Sequence, residues 1–250
     1  MSLNAKFLSI ILLLVGNIVL AQNAETTMLN EDPAYQKWLT MKDDWPDLKR
    51  YQAANKTLLS ADPDPDRVVF MGNSITEGWS SYCPDFFSQP NFVNRGIGGQ
   101  TTPQMLLRFH QDVVDLNPAV VVLLCGTNDL AGNTGPATNK MIMDNIASMA
   151  EIARANNITV ILSSILPVYD YPWRPGLQPA PRIIAINTWM KSYAEQYGHM
   201  YLDYYSSMVD NKGGLPTKYA KDGVHPTLAG YEVMNTLASE AISKALLLNQ

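Results

Sequence analysis

The sequence predicts an α/β fold: a three-layer α/β/α sandwich with a mostly parallel, five-stranded sheet. Short apolar segments alternate along the chain with longer segments of helical spacing, which is typical of a parallel sheet covered by helices on both faces. Turns that combine glycine with small polar residues follow three of the apolar segments. The composition, 46% hydrophobic and 16% charged, is that of an ordinary globular protein.

The apolar segments are predicted to form the strands, and the amphipathic segments between and after them are predicted to form helices. The predicted strands are Arg67–Gly72, Phe92–Ile97, Ala119–Cys125, Ile158–Ser163 and Met200–Tyr204. The predicted helices are Pro103–Leu116, Thr138–Ala155, Arg182–Tyr197 and Thr227–Leu248. Helical spacing of apolar residues also covers Trp45–Leu59, ahead of the first strand.

The chain is predicted to divide into a signal peptide (residues 1–21), an N-terminal helical extension and linker (22–66) and one α/β domain (67–250). The first part contains Lys6, an apolar run from Phe7 to Leu20 and a small residue, Ala21, which is the pattern of a cleaved secretory signal. Because the run is interrupted and shorter than the ~20 apolar residues of a spanning helix, cleavage is favoured over stable membrane insertion. We therefore expect an exported protein, either periplasmic or extracellular.

The charge and the cysteines exclude some classes of partner. A net charge of −5 without clustered Lys and Arg argues against nucleic-acid binding. Cys83 and Cys125 are expected to be free thiols, although export permits a disulfide, and neither has the spacing of a metal site. The sequence predicts no metal and leaves the oligomeric state open.

Three glycine-containing turns are candidate parts of a functional site. Gly72–Trp79 follows the first predicted strand, Gly96–Thr102 the second and Gly126–Asp129 the third. Since ligands of open parallel sheets bind beyond the carboxyl ends of the strands, we expect these turns to face one pocket. Each is also ordinary turn chemistry on its own, and Ser74 alone is typical of a helix cap.

Among the three histidines, His225 has the setting of a catalytic base. It lies in the turn Lys221–Thr227, three positions after Asp222, so the carboxylate can bend back onto Nδ1 and leave Nε2 for a hydroxyl. His110 lies within a predicted helix and His199 precedes the fifth strand, and both are expected to be structural. A helix-capping turn with an incidental histidine is an equal alternative for His225 at this point.

Together these pieces resemble the SGNH hydrolase family, also called GDSL esterases and lipases. The four matching blocks are Gly72–Trp79, Asn94–Thr102, Gly126–Asp129 and Asp222–Pro226. They occur in the family's order, and three of them follow predicted strands. The resemblance implies an SGNH hydrolase domain with a flavodoxin-like fold, the activity of a carboxylic ester hydrolase, and no metal or organic cofactor.

The resemblance also implies a role for the polar residue of each block. Ser74 would be the nucleophile, His225 the general base and then the acid, and Asp222 the residue that orients His225. The oxyanion hole would consist of the backbone N–H groups of Ser74 and Gly99 and the side-chain amide of Asn128.

Two positions depart from the family's usual pattern. Asn73 and Gln100 stand where the family usually has aspartate. Neither is a triad or oxyanion position, and an amide can still support a turn by hydrogen bonding. We therefore expect the two departures to affect the fine tuning of the site rather than the reaction that it catalyses.

The resulting hypothesis is hydrolysis of carboxylic esters through an acyl-serine intermediate, with short acyl groups such as acetyl on a carbohydrate as the substrate. Export and nearby aromatic residues favour this substrate. The candidate substrate-binding residues are Trp79, Tyr171, Trp173 and Arg174, the last three in a proline-rich loop after the fourth strand. A lysophospholipase or other lipid esterase is the first alternative, and an O-acyltransferase would use the same triad.

Overall fold

The computed structural model describes residues 31–248, which contain a five-stranded parallel sheet. The strands are β1 (Val68–Gly72), β2 (Phe92–Gly96), β3 (Val120–Leu124), β4 (Thr159–Ser163) and β5 (Met200–Leu202). They lie in the order β2-β1-β3-β4-β5, and every neighbouring pair is parallel. This flavodoxin-like order reverses between β1 and β3. The predicted fold is therefore confirmed.

Strand side chains pack into two hydrophobic cores, one on each face of the sheet. In β1, Val69 and Met71 belong to one core, whereas Val68 and Phe70 belong to the other. Because successive side chains of a strand point to opposite faces, a strand that is buried throughout must be covered on both faces. This is why β1 and β3 appear in the sequence as unbroken apolar runs.

Helices cover both faces of the sheet. Their bounds are α1 Pro33–Asp43, α2 Gln52–Leu59, α3 Ser74–Tyr82, α4 Thr102–Asp112, α5 Thr127–Leu130, α6 Asn139–Ala155, α7 Ala180–Tyr197, α8 Tyr204–Met208 and α9 Leu228–Leu248. The core on one face contains buried residues of α4, α6 and α7, and the core on the other contains residues of α3, α8 and α9.

Several helical predictions need correction. The helix expected over Trp45–Leu59 begins only at Gln52, because Pro46 and the left-handed Asp47 (φ 55°) interrupt the helical backbone. Helix α4 ends at Asp112, and a separate 3₁₀ turn follows it. Helices α3 and α5 were not predicted, since both are short and rich in small polar residues.

The compact unit that contains the sheet begins at Leu48, ahead of the boundary expected at residue 67. Helix α2 belongs to this unit through Asn55, which is buried. The Asn55 amide donates to Asp112 Oδ1 at 2.8 Å and accepts from Arg95 Nε at 2.8 Å. The expected linker therefore includes a helix that is part of the packed structure.

Residues 31–47, which include α1, form a unit of their own. The predicted signal peptide, residues 1–21, lies outside the described residues. Within residues 31–248, no helix combines the length and apolar character needed to cross a membrane. Cys83 and Cys125 are free and buried, which confirms the expectation of two free thiols.

Candidate active site

Ser74 is the first residue of α3, directly beyond the carboxyl end of β1. Asn73 caps this helix, because its side-chain oxygen accepts the N–H of Ile75 at 3.0 Å. Gly72 permits the tight turn, since a Cβ there would lie 1.9 Å from Thr76 Oγ1. The strand-to-helix turn thus holds a partly exposed Ser74 at the rim of the sheet, and Asn73 gives the turn support expected of it.

His225 lies beside Ser74 although 151 positions separate them in the chain. The distance from Ser74 Oγ to His225 Nε2 is 3.0 Å, and that from His225 Nδ1 to Asp222 Oδ2 is 2.7 Å. The second oxygen of Asp222 accepts the backbone N–H groups of Val224 at 3.0 Å and His225 at 2.8 Å. The structure therefore brings together the three side chains that the sequence suggested as a triad.

The hydrogen bonds to Asp222 favour its ionised form. Burial raises the pKa of Asp222, but the His225 ring and the backbone N–H groups of His225 and Val224 together outweigh burial and lower this pKa below its ordinary value. An ionised carboxylate can only accept, so Nδ1 donates its hydrogen to Asp222, and in the neutral ring Nε2 is then left to accept from Ser74 Oγ. This tautomer is the one that can take a proton from a serine hydroxyl.

The turn after β2 lies against Ser74. It is closed by the N–H of Gln100, which donates to Ile97 O at 3.4 Å, and its third residue, Gly99, has φ +76°. This left-handed conformation favours glycine. A Cβ added to Gly98 would lie 3.8 Å from the Cβ of Ser74, so the backbone of the turn approaches the serine closely.

The turn after β3 brings Asn128 against the turn after β2. Its Nδ2 donates one hydrogen to Gln100 O at 2.9 Å. Because a side-chain amide has two N–H hydrogens, this bond fixes the plane of the amide while the second N–H can serve a ligand. Gly126, with φ +107°, is required at the start of the turn, since a Cβ there would lie 2.7 Å from Ile165 Cδ1.

The residues directly before and after Asn128 in the sequence form buried hydrogen bonds that hold it in place. The Tyr171 hydroxyl donates to Thr127 O at 2.8 Å. The Asp129 carboxylate accepts the N–H of Thr102 at 3.0 Å and its hydroxyl at 2.6 Å. Burial nevertheless raises the pKa of Asp129 to about 6. Helix α5 is therefore tied both to the loop after β4 and to the start of α4.

A buried Arg108–Asp112 ion pair joins the ends of two strands, and sequence reasoning missed it. The two charged groups are 3.0 Å apart and fully buried. Arg108 also donates to Gly72 O at 3.0 Å, to Arg95 O at 2.9 Å and to Gln100 Oε1 at 2.6 Å. Gln100 thereby supports its turn, as expected. The opposite charges four positions apart on a predicted helix were the signal that could have indicated this pair.

Two of the four candidate substrate-binding residues lie in the core, which corrects that expectation. Trp79 is 1% exposed and stacks on Phe86 with ring centroids 5.2 Å apart. Tyr171 is 0% exposed, and its hydroxyl donates a hydrogen bond to the carbonyl of Thr127. Both side chains therefore stabilise the packed structure and do not face a ligand.

Trp173 and Arg174 lie at the surface. Trp173 is 44% exposed, and its ring centroid is 6.0 Å from that of His225. Arg174 Nη1 donates to Ala131 O at 2.8 Å and to Gly132 O at 2.9 Å. Trp173 is thus the candidate that the structure places next to the Ser74–His225–Asp222 cluster, whereas Arg174 supports the turn that follows α5.

Comparison with known proteins identifies the relatives of this chain. The family model described as GDSL-like Lipase/Acylhydrolase family matches residues 70–233. Esterase TesA of Pseudomonas aeruginosa is 27% identical over 186 residues, which cover 71% of this chain and 83% of the esterase. A solved structure from Bacteroides fragilis, assigned as an acylhydrolase, is 48% identical with a TM-score of 0.79, covering 81% of this chain and 99% of the other. A GDSL-like lipase from Bacteroides thetaiotaomicron is 46% identical with a TM-score of 0.77, covering 80% and 98%.

The parallel sheet, the glycine-containing turns at its rim and these relatives define a carboxylic ester hydrolase. Within that class, the chain belongs to the GDSL-like lipase/acylhydrolase family, which confirms the family predicted from the four sequence blocks.

Proposed function

We propose that the enzyme cleaves esters through an acyl-serine intermediate on Ser74. The observation that carries this proposal is the continuous set of contacts from Ser74 Oγ to His225 Nε2 (3.0 Å) and from His225 Nδ1 to Asp222 Oδ2 (2.7 Å). A serine hydroxyl is a weak nucleophile until a base accepts its proton, and these contacts provide a base in the correct tautomer.

The reaction proceeds in two halves. In the first, the proton of Ser74 moves to His225 Nε2 as Oγ bonds to the ester carbon; the tetrahedral intermediate then expels the alcohol, which takes that proton. In the second, a water molecule gives a proton to His225 and attacks the acyl-serine, and the acid leaves as Oγ regains the proton. Asp222 stabilises the imidazolium that forms in both halves.

Three N–H groups would stabilise the oxyanion of each tetrahedral intermediate: the backbone N–H of Ser74, that of Gly99 and the free N–H of Asn128. Support comes from the Gly98–Gly99 turn against Ser74 and from the bond that fixes the Asn128 amide on Gln100 O. Preorganised donors of this kind each contribute roughly 10²–10³ in rate.

The substrate that we propose is a short acyl ester, such as acetyl, of a carbohydrate-like alcohol. A cavity of about 730 Å³ borders the triad at Asp222 and Gly223, whereas Ser74 and His225 are not among its lining residues. Its lining also includes Tyr169, which is 60% exposed, and the polar side chains of Asp170 and Lys212. A flat aromatic face among hydrogen-bonding groups suits a hydroxylated ring better than a long acyl chain.

A series of p-nitrophenyl esters from acetate to palmitate, with and without glycerol as an acyl acceptor, tests this proposal. We expect kcat/KM to fall as the acyl chain lengthens, and one acid to be released per p-nitrophenol whether or not glycerol is present. An increase of kcat/KM with chain length would instead indicate a lipid esterase. Accumulation of acylglycerol in place of acid would indicate an O-acyltransferase.

We also propose that the enzyme is exported, on the basis of the apolar run Phe7–Leu20 that ends in Ala21. Sequencing of the mature N-terminus from the exported fraction should begin at Gln22. A cell-associated protein that keeps Met1 would contradict export with cleavage.

A further inference from the structure

Glu77 lies one helical turn after Ser74 in α3 and forms two charge-assisted contacts. Its Oε2 accepts the backbone N–H of Gly98 at 2.9 Å, and its Oε1 accepts from Arg50 Nη2 at 2.6 Å. A Cβ added to Gly98 would lie 2.9 Å from Glu77 Oε2, so the carboxylate is packed directly against this glycine. Glu77 therefore joins the helix of the nucleophile to the turn that carries Gly99.

The orientation of one peptide in this turn decides where the Gly99 N–H points. Turns closed between their first and fourth residues exist in two common types that differ mainly in the direction of the central peptide, here the bond between Gly98 and Gly99. Side chains hold both flanks of that peptide: Glu77 binds the N–H of Gly98, and Asn133 Nδ2 donates to the carbonyl of Gly99 at 3.1 Å. Glu77 and Asn133 thus fix the peptides on either side of the central one, and the central peptide, which carries the Gly99 N–H, is held between these two fixed ends.

The charge of Glu77 requires compensation. A carboxylate close to the site where an oxyanion develops opposes that charge, because like charges repel in the transition state. Arg50 contacts Glu77 directly, and the carboxylate raises the pKa of Arg50 above its ordinary value. The side chain of Glu77 is 34% exposed to solvent, and that of Arg50 is 50% exposed.

We propose that Glu77 is a positioning residue that holds the Gly98–Gly99 peptide so that the Gly99 N–H faces the oxyanion, and that Arg50 neutralises the charge of Glu77 at this place. The inference rests on the proposed function, in which Gly99 is an oxyanion donor.

Steady-state kinetics with p-nitrophenyl acetate on Glu77→Ala, Glu77→Gln and Arg50→Ala test this role. We expect Glu77→Ala to lower kcat at least 10-fold with little change in KM, because the oxyanion is absent from the bound ester and develops only in the transition state. Glu77→Gln keeps an acceptor for the Gly98 N–H and should retain most of kcat. Arg50→Ala should lower kcat most at low ionic strength, and addition of salt should relieve that loss.

A double-mutant comparison separates positioning from simple stabilisation. Arg50→Ala should have little further effect on kcat when it is added to Glu77→Gln, because no carboxylate then remains to be neutralised. Lys140→Ala, which breaks the exposed Lys140–Asp144 pair of α6, is the matched control and should leave kcat unchanged. Melting temperatures of all variants show which of them fold.

Unchanged kcat in Glu77→Ala, or an Arg50→Ala loss that is equal in the wild-type and Glu77→Gln backgrounds, would overturn the inference. Asn128→Ala, measured alongside, keeps the two proposals distinguishable. If Asn128→Ala loses 10²-fold or more in kcat and Glu77→Ala loses nothing, the oxyanion hole stands without Glu77. If Asn128→Ala also keeps its kcat, the proposed oxyanion hole fails together with this inference.

Discussion

A serine hydroxyl keeps its proton at neutral pH, so the reactivity of Ser74 depends on the group that accepts that proton. His225 is placed to do so at 3.0 Å, and Asp222 holds the imidazole through Nδ1 at 2.7 Å. The two other histidines have different surroundings. His110 is exposed on α4, and His199 packs against the ring of Tyr193 with centroids 5.8 Å apart.

His225→Ala should therefore lose nearly as much activity as Ser74→Ala, because members of a triad act as a unit. We expect a loss of at least about 10³-fold in kcat for p-nitrophenyl acetate. His110→Ala and His199→Ala should stay active, with melting temperatures as a check on folding. A folded His110 or His199 variant without activity, or an active His225 variant, would show that the base is assigned to the wrong histidine.

The pH dependence of this activity has a definite sign. The base must be unprotonated to take a proton from Ser74, so kcat/KM should rise as pH increases. Asp129, whose pKa burial raises to about 6, can also titrate near neutrality, and Asp129→Asn is therefore the control. A rise that disappears in Asp129→Asn would assign the ionisation to Asp129 rather than to the imidazole.

At the scale of single residues, polar chemistry was easier to predict than burial. Ser74, Asp222, His225, Gly99 and Asn128 occur in blocks whose order and spacing are specific. The structure joins Ser74, His225 and Asp222 by direct contacts, and it ties Asn128 to Gln100, the neighbour of Gly99. Trp79 and Tyr171 were misjudged, because an aromatic side chain near a site has the same sequence signature whether it packs inward or faces solvent.

At the scale of elements, the site is built from the turns that leave β1, β2 and β3. The predicted strands agree with the observed ones to within one or two residues. For β1 and β3 the reason is that a strand buried on both faces gives an unbroken apolar run. Helices α3 and α5 were missed, since both are short and rich in small polar residues, although Ile75 and Trp79 of α3 pack into the core. The sequence thus indicated where the turns leave the sheet, but not how they are fixed.

Asp129, which fixes α5 to α4, makes stability depend on pH. Its folded pKa, about 6, is raised above the ordinary 3.8, so the folded state binds the proton more tightly than the unfolded chain. This contribution to stability is complete below about pH 4 and is lost as pH rises through about 6, with an upper limit of about 3 kcal/mol.

Urea unfolding of wild type and Asp129→Asn between pH 4 and pH 8 measures this contribution. The difference in free energy of unfolding should shift in favour of Asp129→Asn as pH rises, because the variant has no carboxylate to ionise. A difference that stays constant, or that shifts towards the wild type, would mean that Asp129 is not destabilised in its charged form.

The backbone of the proline-rich loop after β4 is organised by one carboxylate. Asp170 accepts the backbone N–H groups of Tyr171 at 3.0 Å, Gly176 at 2.5 Å and Leu177 at 3.1 Å. The bond from Gly176 is the main reason why the pKa of Asp170 lies below its ordinary value. The loop therefore presents Trp173 to His225 from an ordered backbone.

Trp173→Ala should lower kcat/KM for an acetylated sugar much more than for p-nitrophenyl acetate, because the smaller ester has little surface to place against the indole. Leu177→Ala, at a 43% exposed position of the same loop, is the matched control and should change neither value. Equal losses on both substrates, or a marked fall in melting temperature, would make Trp173 a packing residue.

At the scale of the whole molecule, the site joins residues from distant parts of the chain. Ser74 follows β1 and His225 precedes α9, so the contact between them closes a loop of 151 positions. The reversal of strand order between β1 and β3 leaves room at the carboxyl edge for the turns that carry Ser74 and Asn128. The start of the compact unit at Leu48 could not be predicted, because the buried contacts of Asn55 have no counterpart in an apolar pattern.

The role of Ser74 is tested most directly by covalent labelling of the folded enzyme with a serine-reactive p-nitrophenyl phosphonate, followed by peptide mass mapping. Ser80→Ala, at another serine of α3, is the matched control for Ser74→Ala. We predict one adduct on Ser74 in the wild type and in Ser80→Ala, with complete loss of ester turnover. Ser74→Ala should fold, take up no label and show no turnover. Labelling of a different residue, or a Ser74→Ala enzyme that keeps more than a few per cent of wild-type turnover, would contradict catalysis through an acyl-serine at this position.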